Sequence, residues 1–156
     1  VIGGNIHGGG TDLAMACDMR IAAHSIMLAM PAAKIGLQYY ASGLQRFVER
    51  IGPSATKRIF LTGESIQADE LLTMGYLTEI LDSEILEPRA LELCEAISRL
   101  APNAVKLTKK AIDDLAGLNP DLGLIQANHL ASARSEDHLE AMKALREKRS
   151  PNFDES

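Results

Sequence analysis

The sequence has little cysteine, and it lacks an apolar run long enough to cross a bilayer. Its two cysteines, Cys17 and Cys94, belong to no Cys-x-x-Cys pair and have no Cys or His neighbour at metal-ligand spacing. A disulfide scaffold, a metal site and a membrane span are therefore not predicted. Both cysteines lie in apolar helical patterns, so we expect reduced core residues in a cytoplasmic protein.

The composition is that of an ordinary soluble domain. The chain has 156 residues, of which 46% are hydrophobic, and its formal net charge is −5. This length suffices for one hydrophobic core. Because the charge balance is acidic, the composition gives no reason to expect a nucleic-acid partner.

Three consecutive glycines, Gly8 to Gly10, precede a helical pattern whose apolar positions are Leu13, Ala14, Ala16 and Cys17. Glycine lets the chain turn sharply, and the free N–H groups of a helix start suit an oxyanion or a phosphate. Because no Gly-Lys-Ser/Thr ending and no ribose-binding acidic residue accompany the glycines, the nucleotide motifs are excluded. Two interpretations remain, an oxyanion hole and a tight loop that merely packs.

The order Gly-Gly-Gly-x-Asp-Leu-Ala-x-x-Cys-Asp-x-Arg-Ile-Ala, from Gly8 to Ala22, resembles the signature of the enoyl-CoA hydratase/isomerase (crotonase) superfamily. The similarity spans essentially the whole chain. Further segments in the family's order are Pro31 with Ile35-Gly36-Leu37, Gly43-Leu44-Gln45-Arg46, Ile51 to Ala55, Leu61 to Glu64, Ala68 to Glu70, Met74 to Leu77 and Glu147 to Phe153.

The resemblance implies an α/β fold, a crotonase-like ββα spiral followed by a C-terminal helical subdomain. Residues 1–81 are expected to form the later part of the spiral core with the oxyanion-hole loop. Residues 82–156 are expected to form a helical region for oligomerisation and CoA binding. Earlier turns of the spiral are expected upstream of Val1, so the chain is interpreted as a C-terminal portion. The family's assemblies imply a homotrimer or a dimer of trimers.

Local patterns predict the individual elements. Strands are predicted at Met19 to Ala23, Ile26 to Met30 and Tyr76 to Leu81, with the second buried on both faces. Residues 31–43 look irregular. A helix is predicted from Leu44 to Ile51, with Leu44, Phe47, Val48 and Ile51 on one face. Further helices are predicted from Ser54 to Leu61, Ala68 to Met74, Ile85 to Leu100, Ala104 to Leu118, Leu122 to about Arg134 and Ser135 to Lys148. Ser135 is predicted to cap the last of them.

The resemblance also implies a catalytic site. In this family two backbone N–H groups hold the thioester oxygen of an acyl-CoA, and Gly9 matches one of them, while the other lies upstream. Asp12 occupies the first of the two glutamate positions of the hydratases, although a carboxylate there also suits the helix dipole. The second position, directly after Pro31, is Ala32. The family's two-carboxylate hydration therefore cannot be completed in the usual way.

Few other residues are candidates for the chemistry. Tyr39 and Tyr40 lie in the irregular segment, and Tyr39 resembles a tyrosine of the methylmalonyl-CoA decarboxylase branch. Tyr39 is predicted as catalytic, with packing of its ring as the alternative. His7 is expected at a helix end or in the core, and Asp18 and Arg20 are expected to belong to the fold.

Gly8, Gly9 and Pro31 are predicted to contact the substrate. Lys148 lies where the family places a lysine near the adenine and phosphates of CoA, although a basic cluster at a helix end is commonly just solvated. Leu145 replaces the aromatic residue usual near that adenine. No metal and no separate cofactor are expected, because CoA is part of the substrate.

Three functions remain open. The first is an acyl-CoA lyase or isomerase of the hydratase type. The second is decarboxylation of a malonyl-type CoA thioester, which Ala32 and Tyr39 favour and which Asp12 opposes by repelling the substrate carboxylate. The third is a CoA-ester-binding protein without catalysis.

Overall fold

The computed structural model of the protein describes residues 1–117 and 119–153. The chain divides into two compact units, Val1–Leu91 and Glu92–Ser156. The roles expected for residues 1–81 and 82–156 remain predictions. No helix in the described ranges is both long and apolar enough to cross a membrane.

The first unit contains two small sheets and the helices that cover them. Its strands are β1 (Ile6–His7), β2 (Ile21–Ala23), β3 (Met27–Ala29), β4 (Ser65–Gln67) and β5 (Glu79–Leu81). Its helices are α1 (Gly9–Ala16), α2 (Ala41–Thr62) and α3 (Ala68–Thr73), with short 3-10 turns at Ala33–Ile35 and Ser83–Ile85. Helix α4 (Leu86–Ser98) contains the boundary between the units.

The sheets are built around β3 and β2. Strand β3 pairs in parallel with β1 and antiparallel with β4, while β2 pairs in parallel with β5. Leu28 lies opposite both Ile6 and Ile66 and is fully buried, so this register places its side chain in the core. The predicted strands are confirmed in shorter form. Strands β1 and β4 were not predicted, because two or three residues give no clear alternation.

Only one face of β3 is fully buried in the core of the first unit. Ile26, Leu28 and Met30 are buried, whereas Met27 and Ala29 are only half-buried, which corrects the prediction of a strand buried on both faces. Successive strand residues point to opposite sides, and only one side of β3 meets the core. Full burial of such a side chain stabilises the fold by about 1.5–3 kcal/mol.

Helix α2 is broken in the middle, as the sequence predicts. Gly52 leaves the helical region with φ +76, and Pro53 follows it. Thr56 then donates from its hydroxyl to the Gly52 carbonyl oxygen at 2.8 Å. The predicted shared face holds for Phe47, which is buried, but not for Val48, which is 43% exposed.

The second unit is helical, with α5 (Pro102–Ala116), α6 (Leu122–Ser132) and α7 (Glu136–Glu147). Ser135 caps α7 as predicted, because its hydroxyl accepts a hydrogen bond from the His138 amide at 3.2 Å. Leu118, the predicted end of the fifth helix, lies outside the described residues.

One expectation about burial is wrong, because Cys17 and Cys94 are exposed and not in the core. On α7, the apolar residues Leu139, Met142 and Leu145 are also exposed. An apolar residue in a helical pattern is buried only where another element packs against that face.

Candidate functional site

The glycine loop joins β1 to α1, and Gly8 makes the turn. Gly8 has φ +51, a backbone conformation that residues with a Cβ rarely adopt. Its N–H donates to the Ala29 carbonyl oxygen at 3.0 Å, so the loop is tied to the end of β3. Its own carbonyl oxygen accepts from both the amide and the hydroxyl of Thr11, at 3.0 and 2.7 Å. Both backbone groups of Gly8 are therefore engaged within the fold.

Gly9 is the first residue of α1, so the predicted helix is confirmed but begins within the three glycines and not after them. The first N–H groups of a helix have no acceptor within the helix, and α1 has no side chain capping it. Gly9 and Gly10 are exposed, and no heavy atom lies within 4 Å of the position that a Cβ would take at either one. Gly9 therefore lies at an exposed helix start with open space on the side that a Cβ would occupy. Its role as an oxyanion donor remains a prediction.

The carboxylate of Asp12 faces inward from the first turns of α1, with the residue only 5% exposed. Arg46, on α2, donates to its Oδ1 from Nη1 at 2.5 Å. The Tyr40 hydroxyl donates to its Oδ2. The hydrogen bond to Asp12 is the main cause that raises the pKa of Arg46. Asp12, Tyr40 and Arg46 form a cluster that we call the Asp12 triad.

The inward face of α1 differs from the predicted one. Thr11, Asp12 and Met15 are buried, whereas Leu13 is 73% exposed and Cys17 is exposed. Two polar residues can be buried here because their side chains are hydrogen-bonded. Thr11 bonds to the Gly8 carbonyl oxygen, and the Asp12 carboxylate accepts from Tyr40 and Arg46. Those partners lie up to 34 residues away in the chain, so helical spacing alone could not reveal them.

Tyr39 and Tyr40 take different roles. The Tyr39 ring packs against Tyr40 and Phe60, with centroid distances of 4.5 and 5.1 Å. Its hydroxyl is buried and has no hydrogen-bond partner among the described residues, and burial raises its pKa. Packing, the alternative for Tyr39, is what the structure shows, and its catalytic role remains only a prediction. Both tyrosines were candidates from the sequence, and only Tyr39 was predicted as catalytic. The contact that distinguishes Tyr40 is its hydrogen bond to Asp12, 28 residues away in the chain, which no local pattern reveals.

A second group of residues holds α1 in place. The Tyr76 hydroxyl donates to the Thr11 carbonyl oxygen at 2.7 Å. Arg20 donates from Nε to the Tyr76 carbonyl oxygen and from Nη1 to that of Cys17, the latter at 2.6 Å. Burial lowers the pKa of Arg20. Arg50 also donates to the Cys17 carbonyl, at 2.6 Å. Arg20 thus belongs to the fold, as expected, and helps to fix the helix that carries Gly9.

The remaining predicted residues lie as follows. Pro31 is half-buried after β3, and Ala32 is buried beside it. His7 lies exposed on β1, so the expectation of a helix end or the core is wrong. Lys148 is exposed in the second unit, at the end of α7, with φ +53. Substrate contacts of Pro31 and Lys148 remain predictions.

An open cleft of about 490 Å³ borders the outer side of α1. The residues that line it include Gly3, Gly10, Leu13 and Cys17, but neither Asp12 nor Tyr40. The cleft and the Asp12 triad therefore lie on different sides of the helix. In the described residues, no group of three His, Cys, Asp or Glu side chains is placed to hold a metal ion.

Comparison with known proteins gives one consistent result. The family model described as Enoyl-CoA hydratase/isomerase matches residues 1–156. The chain is 29% identical over 154 residues to 2,3-dehydroadipyl-CoA hydratase of Escherichia coli strain K12. It is 33% identical over 144 residues to short-chain-enoyl-CoA hydratase of Clostridium acetobutylicum. The crystal structure of enoyl-CoA hydratase from Bacillus anthracis superposes with a TM-score of 0.87 at 33% identity.

These matches cover almost all of this chain but only part of each relative. The alignments take in 97% and 91% of the chain, and 60% and 55% of the two hydratases. For the Bacillus anthracis structure the shares are 96% of this chain and 58% of the other. The chain thus spans somewhat more than half the length of the proteins it matches.

Proposed function

Because the chain belongs to the enoyl-CoA hydratase/isomerase family, with its α/β crotonase-like fold, we propose that the protein acts on an acyl-CoA thioester. The observation that carries the proposal is the uncapped N–H of Gly9 at the open start of α1. A thioester oxygen that gains negative charge is stabilised by such a donor and by the positive end of the helix dipole. An enolate-like intermediate is the species that this arrangement favours.

Addition of water to an enoyl-CoA is the reaction that we propose. Its support is that the Escherichia coli and Clostridium acetobutylicum relatives are named as hydratases. Asp12 is the proposed acid/base residue, since its carboxylate lies three residues beyond Gly9 on the same helix. The hydratase relatives do not favour the decarboxylase or the non-catalytic alternative.

The remaining features are proposed from the family resemblance. The chain corresponds to the later part of the spiral and its helical subdomain, with a second oxyanion donor supplied by another segment. Gly8 and Pro31 line the acyl site, and Lys148 contacts the CoA phosphates. The protein assembles as a homotrimer or a dimer of trimers in the cytoplasm, and it uses no separate cofactor.

A product screen tests the reaction. The full-length protein is incubated with crotonyl-CoA, with longer and branched enoyl-CoA esters, and with methylmalonyl-CoA, and products are identified by mass spectrometry. A gain of one water by an enoyl ester supports the proposal. Loss of carbon dioxide from methylmalonyl-CoA, or ester binding without conversion, would contradict it.

A backbone substitution tests the role of Gly9. Gly9→Pro removes the N–H at the first helical position, where proline is well tolerated. Loss of one such donor lowers turnover by about 100- to 1,000-fold in enzymes that depend on it. Gly9→Ala keeps the N–H and serves as the matched control, since open space surrounds its Cβ position. Equal turnover of the two variants would show that the Gly9 N–H is not an oxyanion donor.

A further inference from the structure

Tyr40 is the most exposed member of the Asp12 triad, and the carboxylate is its buried member. Asp12 is 5% exposed, and both of its oxygens accept hydrogen bonds, Oδ1 from Arg46 and Oδ2 from Tyr40. Tyr40 is 52% exposed. A molecule that approaches the triad from solvent therefore meets the tyrosine before it meets the carboxylate.

Hydration of a double bond requires two proton movements, one from water and one to carbon. Ala32 carries no titratable group, so a single carboxylate, Asp12, is left from the pair that the family uses. Tyr39 does not replace the missing group in the same way, because the structure shows no hydrogen bond between its buried hydroxyl and Asp12 among the described residues. The Tyr40 hydroxyl is bonded directly to the remaining carboxylate.

We propose that Tyr40 is the second proton-carrying residue of this site and works with Asp12 through their hydrogen bond. The proposal rests on the proposed hydration of an enoyl-CoA. Tyr40 is placed for this by the extended backbone that precedes α2, with φ −72 and ψ 150. The Asp12 partner is fixed from the other side by Arg46, so the phenol and carboxylate meet in one defined geometry.

The proposed step needs only water and the enoyl-CoA. The water oxygen bonds to C3 as its proton passes to the Tyr40 oxygen and the Tyr40 proton moves along the hydrogen bond to Asp12. The C2=C3 electron pair moves toward the thioester oxygen held by Gly9. As the enolate collapses to the saturated 3-hydroxyacyl thioester, Tyr40 gives its proton to C2 and becomes a transient phenolate. The proton of Asp12 then returns along the same hydrogen bond to the Tyr40 oxygen, which restores both groups.

Arg46 supports this exchange. Each carboxylate oxygen has a second lone pair beyond the one engaged by Arg46 or Tyr40, so Asp12 can still accept a proton. The guanidinium also interacts with Tyr40, and this interaction contributes to the raised pKa of Arg46. A positive charge at this place stabilises the transient phenolate.

The test compares Tyr40→Phe with Tyr39→Phe in the full-length protein. Tyr40→Phe removes only the hydroxyl, and we expect kcat for hydration to fall by about 100-fold or more, the usual contribution of a general acid. KM and the affinity for a saturated acyl-CoA should change by less than about threefold. Tyr39→Phe removes the neighbouring hydroxyl and tests the rival assignment. The loss at Tyr40 should exceed the loss at Tyr39 by at least about tenfold.

A second variant remains informative if Tyr40→Phe does not fold. A fluorinated tyrosine at position 40 keeps the hydroxyl but makes it more acidic, so the alkaline limb of the kcat profile should move to lower pH. A purely structural phenol would leave that limb in place.

The outcomes separate this inference from the proposed function. A wild-type protein that hydrates enoyl esters, together with an equally active Tyr40→Phe variant or an unmoved alkaline limb, overturns only the role of Tyr40. A larger loss in Tyr39→Phe than in Tyr40→Phe does the same. A wild-type protein that binds the esters and adds no water overturns both proposals.

Discussion

Removal of Arg46 leaves the Asp12 carboxylate buried without its positive partner, and we expect a measurable loss of stability. Arg46→Met keeps much of the aliphatic length and deletes the charge and the hydrogen bond. Breaking a fully buried ion pair from one side costs about 3–5 kcal/mol. The side chain of Asp12 is 7% exposed but that of Arg46 is 32% exposed, so water reaches part of the pair. Because the Tyr40 hydroxyl also remains on the carboxylate, the expected cost is about 2 kcal/mol, within the range for one hydrogen bond to a charged group.

Urea denaturation at pH 7, followed by circular dichroism, measures this cost as a lower midpoint with an unchanged slope. Asp12→Asn removes the charge on the other side, and the double variant completes a cycle. If the two residues interact as the geometry indicates, the double variant should lose about 1–2 kcal/mol less stability than the two single variants lose together. Additivity within about 0.4 kcal/mol, or an Arg46→Met variant as stable as wild type, would refute the reasoning.

Three further changes have defined outcomes. Tyr76→Phe removes the hydrogen bond to the Thr11 carbonyl and should lower the free energy of unfolding by about 1 kcal/mol in the same urea assay, whereas no change would show that water replaces it. The pKa of Glu140 is lowered to about 2, first by its hydrogen bonds from Arg149. The stability that ionised Glu140 gives the folded protein is therefore complete above its unfolded pKa, roughly 4.3, and is lost as the pH falls toward 2. The thermal midpoints of wild type and Glu140→Gln should accordingly converge in acid, and a difference that does not change with pH would contradict this. Ser135→Ala should cost about 1 kcal/mol and Ser135→Asp much less, because aspartate still caps α7; equal losses would exclude the cap.

Local signals in the sequence were sufficient for several elements. The glycines before α1, the Gly52-Pro53 break in α2 and the Ser135 cap each depend on residues next to one another in the chain. Backbone conformation and capping are decided at that range, so the sequence predicts them correctly. The resemblance of the segment from Gly8 to Ala22 to the family signature also identified the glycine loop as the candidate site.

Features that depend on residues far apart in the chain could not be predicted from local patterns. The buried face of α1 is set by Arg46 and Tyr40, which reach Asp12 from 34 and 28 residues further along the chain. A pattern search expects apolar residues to turn inward, so it selected Leu13 instead. The same limitation explains why Cys17 was expected in the core.

In our proposal, Tyr40 supplies the second proton-carrying group that Ala32 does not. A second carboxylate hydrogen-bonded to Asp12 would place two like charges together and raise the pKa of one of them. A phenol in that position carries a proton without adding a negative charge, and it can donate to the carboxylate at neutral pH. The triad therefore needs only one cation, Arg46, to balance its single anion. If Tyr40 acts as we propose, it carries the proton that a glutamate would have carried, and Ala32 is compatible with hydration.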